Sequence, residues 1–235
     1  MKTYTIYTIT KKDLDSRNHY TDSSNFDGHF DGHLIIEKDL GMVYFSGSLI
    51  VTGYIQAKSG SGITAGEGIN AGWYINADKG IEADKGIKAG WDIEAGEGIE
   101  AGADIKAGTG IKAGYAIKAG AGIKAGCGIK AGTDIMAGEG INARWSIEAG
   151  SDIMAGTGIK AGCGINAGLT VFAGINVYEK CAIDKYEIQC ATFIGDVGYG
   201  KLVIVPAPKK ESKPESSCVG KLIEIDGKKY KLIEA

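Results

Sequence analysis

From Ser61 to Gly174 an aliphatic residue recurs at every sixth position: Ile63, Ile69, Ile75 and onward to Ile165, then Val171. This makes nineteen consecutive hexads without an insertion. Alanine follows two places after each aliphatic (Ala65, Ala71, Ala77), so both apolar side chains share one face of a short extended segment and the residue between them points the other way. Writing the unit as x-z-Ile-y-Ala-Gly, the closing glycine is read as supplying backbone freedom for a corner. A strand this short cannot bury its apolar face alone. Successive turns must therefore stack, ~4.8 Å apart, into a parallel solenoid.

The number of hexads per coil follows from which positions resemble one another. Taken every eighteen residues, the x position reads Trp73, Trp91, Thr109, Cys127, Trp145, Cys163, which places all three tryptophans in one column. The other two columns are mainly small or charged. The expectation is an all-β chain: a three-sided parallel β-helix of about 18 residues per coil, right-handed, with an N-terminal cap and a C-terminal β-hairpin. Val43, Leu49 and Ile55 keep the spacing before the array, and a two-residue insertion near Lys58–Gly60 follows them, so the solenoid is expected to begin near Leu34.

The organisation read along the chain is a strand and capping segment (1–39), the hexad solenoid (40–174) and irregular final coils with a cap (175–205). A Pro/Lys/Ser linker (206–217) and a hairpin tail (218–235) complete it. The alternation in Tyr4-Thr5-Ile6-Tyr7-Thr8-Ile9 reads as a strand covering the first coil. Asp226-Gly227 between two alternating runs is a hairpin signal.

Composition narrows the function. Glycine, at 38 residues, lacks the every-third spacing of collagen, and proline occurs three times. A net charge of −3 argues against generic attraction to nucleic acid or anionic membrane. Arg17 and Arg144 are the sole arginines, which disfavours base-specific reading but leaves phosphate contacts open. The N-terminus lacks the apolar core of a signal peptide and no run of 18 apolar residues occurs, so a cytoplasmic chain with no membrane partner is expected. Five cysteines without C-x-x-C spacing indicate reduced thiols.

Stretches such as GIKAGYAIKAGAGIKAG resemble the bactofilins and related polymer-forming cytoskeletal proteins, over roughly residues 34 to 200. The resemblance implies a three-sided right-handed β-helix core and end-to-end polymerisation. The left-handed hexapeptide acyltransferases place the small residue before the large aliphatic, the opposite order. Glycine-rich hexads with a short IEIDGKKYKL tail also look like small proteins of bacteriophages and mobile elements.

The outward y position carries the candidate chemistry. Its columns read Asn70, Lys88, Lys106, Lys124, Asn142, Lys160; then Asn76, Glu94, Lys112, Lys130, Glu148, Asn166; then Thr64, Glu82, Glu100, Lys118, Met136, Met154, Phe172. Residues 103–133 hold five lysines against Asp104 alone, whereas 61–102 hold three against eight acids. Like charges stacked in adjacent strands cost about 0.2–1 kcal/mol per pair. A lysine belt that docks a polyanion or acidic surface therefore competes with a merely solvating lysine face.

The expected partner-binding residues are Lys88, Lys106, Lys112, Lys118, Lys124 and Lys130 with Trp73, Trp91, Tyr115 and Trp145, since exposed aromatics are favoured interface anchors. Met136, Met154 and Phe172 form an apolar stripe suited to the chain's own tail or to a second subunit. The tandem FDGHFDGH (26–33) holds His29, His33, Asp27 and Asp31. Its glycines disfavour the helix that would bring the histidines together on a metal.

Asp134 and Asp152 stack in adjacent coils at the z position, where aspartate tolerates the left-handed backbone expected of a corner glycine. No nucleophile–base pairing, phosphate loop, cofactor motif or metal site is expected. The functional expectation is a non-enzymatic scaffold binding a protein or ribonucleoprotein, in its most concrete form a phage-encoded inhibitor of a host complex. A polymer-forming structural protein comes second, and a carbohydrate-active or acyltransferase-type enzyme is remote.

Overall fold

The structure is a computed structural model that describes residues 4–21 and 28–179 and the strands Glu187–Cys190, Thr192–Tyr199, Lys201–Ile204, Leu222–Ile225 and Lys228–Lys231. Side chains are described as far as Gly174. Residues Met1–Val205 form one compact unit and Pro206–Ala235 another. The linker at 206–217 lies outside the described residues.

Each regular hexad forms one three-residue strand, such as Ile81–Ala83, Ile87–Ala89 and Ile93–Ala95, with the chain turning between them. Strand pairing is parallel and joins residues eighteen apart: Ile81 stands on Ile63 and beneath Ile99, and Ile87 stands between Ile69 and Ile105. Three parallel stacks result, and the chain is an almost all-β solenoid.

The first face comprises eleven strands, from Thr5–Ile9 through Ile93–Ala95 and Ile111–Ala113 to Lys201–Ile204. The second face carries Ile81–Ala83, Ile99–Ala101 and Ile117–Ala119, and the third Ile87–Ala89, Ile105–Ala107 and Ile123–Ala125. The ten-residue strand Thr170–Glu179 rounds a corner and pairs with both of these stacks.

The inward ladders make the core. Isoleucines from Ile63 to Ile165 are at most 2% exposed and the alanines at most 8%. At about 1.5–3 kcal/mol per buried aliphatic side chain, this burial holds together strands too short to persist alone.

The coils before the array are longer. Leu34 stands on Ile55 after 21 residues, and Val43 on Ile63 after 20. Their extra residues form turns in which Asp39, Gly41 and Gly60 take positive φ. The buried Ser61 hydroxyl pins these turns, accepting from the Leu40 N–H (3.0 Å) and donating to the Glu37 carbonyl (2.6 Å).

Thr5–Ile9 lies parallel on Gly32–Ile36, covering the first coil as its alternation indicated. Ile9, Leu14, Phe30 and Leu40 close the apolar column at this end, with Tyr7 and Tyr20 packed against them. At the other end the loosened sequence still stacks in parallel: Ile165 on Ile188, Val171 on Phe193 and Glu187–Cys190 on Lys201–Ile204. In the second unit, Leu222–Ile225 and Lys228–Lys231 form the expected antiparallel hairpin.

The reason for the corner glycines differs from the expectation. Among the described residues no position of the hexad array has positive φ. The closing glycine is required by close approach instead: a Cβ on Gly90, Gly114 or Gly120 would lie 1.9–2.1 Å from the carbonyl oxygen of the residue eighteen earlier. Asp78, Asp84 and Arg144 hold the glycine place in three hexads, and the corner above Arg144 is rebuilt. Regular corners bond as Gly150 N–H does to Ala131, but Gly162 donates to the Trp145 carbonyl, which also accepts from Cys163.

Candidate functional site

Outward side chains inherit the eighteen-residue register, so the lysine belt resolves into three ladders of different character. On the third face Lys88, Lys106 and Lys124 occupy three consecutive rungs, and Lys160 follows one rung beyond Asn142. Lys106 pairs with Asp104 at 2.9 Å; among the described residues Lys88, Lys124 and Lys160 make no ion pair. Shallow grooves cross this face, lined by Lys106, Lys124, Asn142 and Lys160.

On the first face Lys112 and Lys130 are direct neighbours flanked by Glu94 and Glu148. Each lysine leans outward to its acid, Lys112 to Glu94 at 2.6 Å and Lys130 to Glu148 at 2.9 Å, so this ladder is balanced. The second face changes from Glu82 and Glu100 through Lys118 to Met136, Met154 and Phe172. Lys118 therefore marks the boundary of the apolar ladder, whose upper member Phe172 is exposed.

Asp104 and Glu67 are held in their charged form. Asp104 sits below its ordinary range because the Lys106 ammonium and the Gly122 N–H both donate to it. Glu67 is lowered by Lys85 and by the Ser48 hydroxyl. Glu94 in turn raises the Lys112 ammonium. All are solvent-facing pairs of the kind that contribute little to stability and exchange readily for other partners.

The tryptophan column lies on the corner between the third and first faces. Trp73 and Trp91 are vertical neighbours: the Trp91 N–H donates to the Trp73 carbonyl at 2.7 Å, and the rings stack at 5.4 Å and 16°. Trp73 is not a free anchor, because Tyr4 packs edge-on against it and His33 lies 4.8 Å away. Beside it His33, Tyr54 and Tyr74 form a second pile, with ring centroids 4.1 and 4.9 Å apart. Burial raises the Tyr74 hydroxyl.

Trp91 and Trp145 remain largely exposed, at 52% and 60%, three rungs apart with the smaller Thr109 and Cys127 between them. One corner thus gathers Trp91, Trp145, Lys106, Lys112, Lys124 and Lys130. Tyr115, though 61% exposed, stands on the next corner, between the first and second faces.

The stacked acids bind backbone. Asp134 accepts from the Asp152 N–H (3.2 Å), and Asp152 from the Thr170 N–H (3.0 Å). Asp92 and Asp104 do the same for Gly110 and Gly122. A z-position aspartate therefore ties its rung to the next, and the left-handed backbone expected there is absent. Of the tandem FDGHFDGH, Phe26 and Asp27 lie outside the described residues. Asp31 accepts from Thr52 at 3.0 Å, and His33 is buried in the aromatic pile. Among the described residues no three potential metal ligands converge.

What the sequence reading missed is the aromatic packing of Tyr4, His33, Tyr54 and Tyr74. Tyr54 and Tyr74 both directly precede a core isoleucine, but a 20-residue coil separates them and hides the column from an eighteen-residue search. No helix among the described residues is long and apolar enough to cross a membrane. Comparison with family models, with curated proteins and with solved structures returned no match for this chain. What it shares with solenoid repeat proteins is the repeat pattern and the stacked-strand fold.

Proposed function

We propose that this chain is a non-enzymatic, rigid interaction scaffold that binds a polyanionic protein or ribonucleoprotein partner. The observation supporting it is the ladder Lys88–Lys106–Lys124, three like charges on consecutive rungs. The first face shows the cheaper arrangement, acids placed next to lysines. A ladder without acids among its rungs keeps Lys88 and Lys124 available to an external anion, with Lys106 held on Asp104 by an exchangeable surface pair, and the fixed rung spacing means little ordering entropy is lost on docking. The stripe of half-buried Met136 and Met154 and exposed Phe172 on the second face serves, in the same reading, contact with a second copy or with the chain's own tail. End-to-end polymerisation has less support, because Leu14 and Phe30 close the N-terminal end of the core.

Heparin, a polyanion without bases, tests the reading. The full chain should bind it with an affinity that falls steeply with salt. Changing Lys88, Lys106 and Lys124 to Glu should lower the slope of log affinity against log salt by about two to three. Binding that ignores both salt and this triple substitution would overturn the proposal.

A further inference from the structure

The corner between the third and first faces has a shape that neither the lysines nor the tryptophans create alone. Trp91 and Trp145 stand on the same column three rungs apart, ~14 Å by strand spacing. Between them the column holds only Thr109 and Cys127, with Gly110 and Gly128 in the neighbouring column. Small residues bounded by two indoles leave a notch open to solvent. The indole of Trp91 is stacked on Trp73 on one side, and among the described residues no ring covers its other face. No ring among the described residues touches Trp145.

The same two rungs carry Lys106 and Lys124 on one wall and Lys112 and Lys130 on the other. The notch therefore has the basic third-face ladder on one side, the ion-paired Lys112 and Lys130 on the other, and an indole at each end. Arg144, next to Trp145, is exposed and adds a further positive charge. Of the neighbouring acids, Asp92 is bound to the Gly110 N–H and Asp104 to Lys106, while Glu94 and Glu148 end the first-face wall, each paired with its lysine.

We infer that this notch binds single-stranded nucleic acid, with bases stacked between Trp91 and Trp145 and phosphates on the flanking lysines. The dimensions suit it: at ~3.4 Å per base, a gap of ~14 Å accepts about three stacked bases. A cationic track interleaved with aromatic platforms is how sequence-tolerant single-strand binding is built. Exposed indoles also anchor protein interfaces, but their spacing here matches a short run of stacked bases, which a folded acidic surface does not present. A duplex keeps its bases stacked on each other and would not enter. The inference rests on the polyanion-binding reading above and names the class of partner.

Fluorescence anisotropy of the full chain with a 5′-labelled oligouridine, run beside heparin and a short DNA duplex, tests it. The oligouridine should bind more tightly than the duplex and should quench tryptophan emission. Trp91→Ala and Trp145→Ala should each weaken oligouridine binding about five- to a hundred-fold and leave heparin binding unchanged. Lys106→Glu with Lys124→Glu should weaken both ligands. Both indoles are more than half exposed, so circular dichroism should report unaltered folding in the alanine variants.

Oligouridine binding indifferent to both tryptophan substitutions, or no tighter than duplex binding, overturns the inference. If heparin is still bound through the lysine ladder, the scaffold reading survives that result. If heparin too is ignored, both fall.

Discussion

Gly114→Ala adds one methyl group at a place where the coil spacing leaves none to spare. The new Cβ would lie 1.9 Å from the Gly96 carbonyl oxygen and 2.9 Å from its carbon, against ~3.5 Å for ordinary non-bonded contact. Both atoms are backbone, so no rotamer change relieves the overlap. The rungs must part locally, stretching the bonds from the Gly114 N–H to Ala95 (3.0 Å) and from the Tyr115 N–H to Glu97 (3.1 Å). Two weakened hydrogen bonds at about 1 kcal/mol each and overpacking of about 1–3 kcal/mol give a destabilisation of about 3–5 kcal/mol. Gly98→Ala is the matched control, since its Cβ would meet nothing nearer than the Ala116 carbonyl at 3.5 Å. It should change stability by less than about 1 kcal/mol, and could raise it by stiffening the unfolded chain. Urea unfolding, followed by far-ultraviolet circular dichroism and by tryptophan emission, separates the two. Equal midpoints for the two variants would refute the close-approach account of the hexad glycines.

Two further outcomes follow from particular contacts. Ser61→Ala leaves the buried Leu40 N–H and Glu37 carbonyl without their hydroxyl, so a loss of about 1–3 kcal/mol is expected in the same urea assay; an unchanged midpoint would show that these turns are held otherwise. Asp104 is held below its ordinary value of 3.8, Glu67 below 4.5 and Asp15, chiefly through the His19 N–H, below 3.8. Carboxyls lowered in the folded state bind fewer protons there than in the unfolded chain. Their contribution is present above the ordinary values and is lost as pH falls through the folded ones. Stability should therefore decline from about pH 5 towards pH 3, with a shallower decline in Asp104→Asn and Glu67→Gln. Parallel acid limbs for the wild type and both variants would contradict this.

The repeat made most of the architecture legible. Isoleucine and alanine two apart on one face, repeated in register, require stacking, and the tryptophans at multiples of eighteen identify three hexads per coil before any coordinate is known. Which lysines share a face follows from the same counting. What stayed hidden depends on distances between rungs. That Lys112 and Lys130 lean to Glu94 and Glu148 while Lys124 does not is a matter of side-chain reach, and it divides one apparent belt into a balanced ladder and a basic one. The hexad glycine was read as a conformational requirement when it is a steric one, because a carbonyl eighteen residues away is invisible to local reasoning. The pile of His33, Tyr54 and Tyr74 escaped notice since coils of 20 and 21 residues break the counting where the chain is most aromatic. Trp73, expected on the binding surface, was instead absorbed into that packing.

Eighteen residues advance the chain by one rung, and spin-label distances read this advance directly. In a chain whose cysteines are replaced by serine, labels at Asn70→Cys and Lys124→Cys should sit three rungs apart, ~14 Å between backbones. Labels at Asn70→Cys and Lys160→Cys should sit five rungs apart, ~24 Å. Those thirty-six residues should add an increment of ~10 Å. An increment near zero, or one that does not grow by whole rungs, would contradict it.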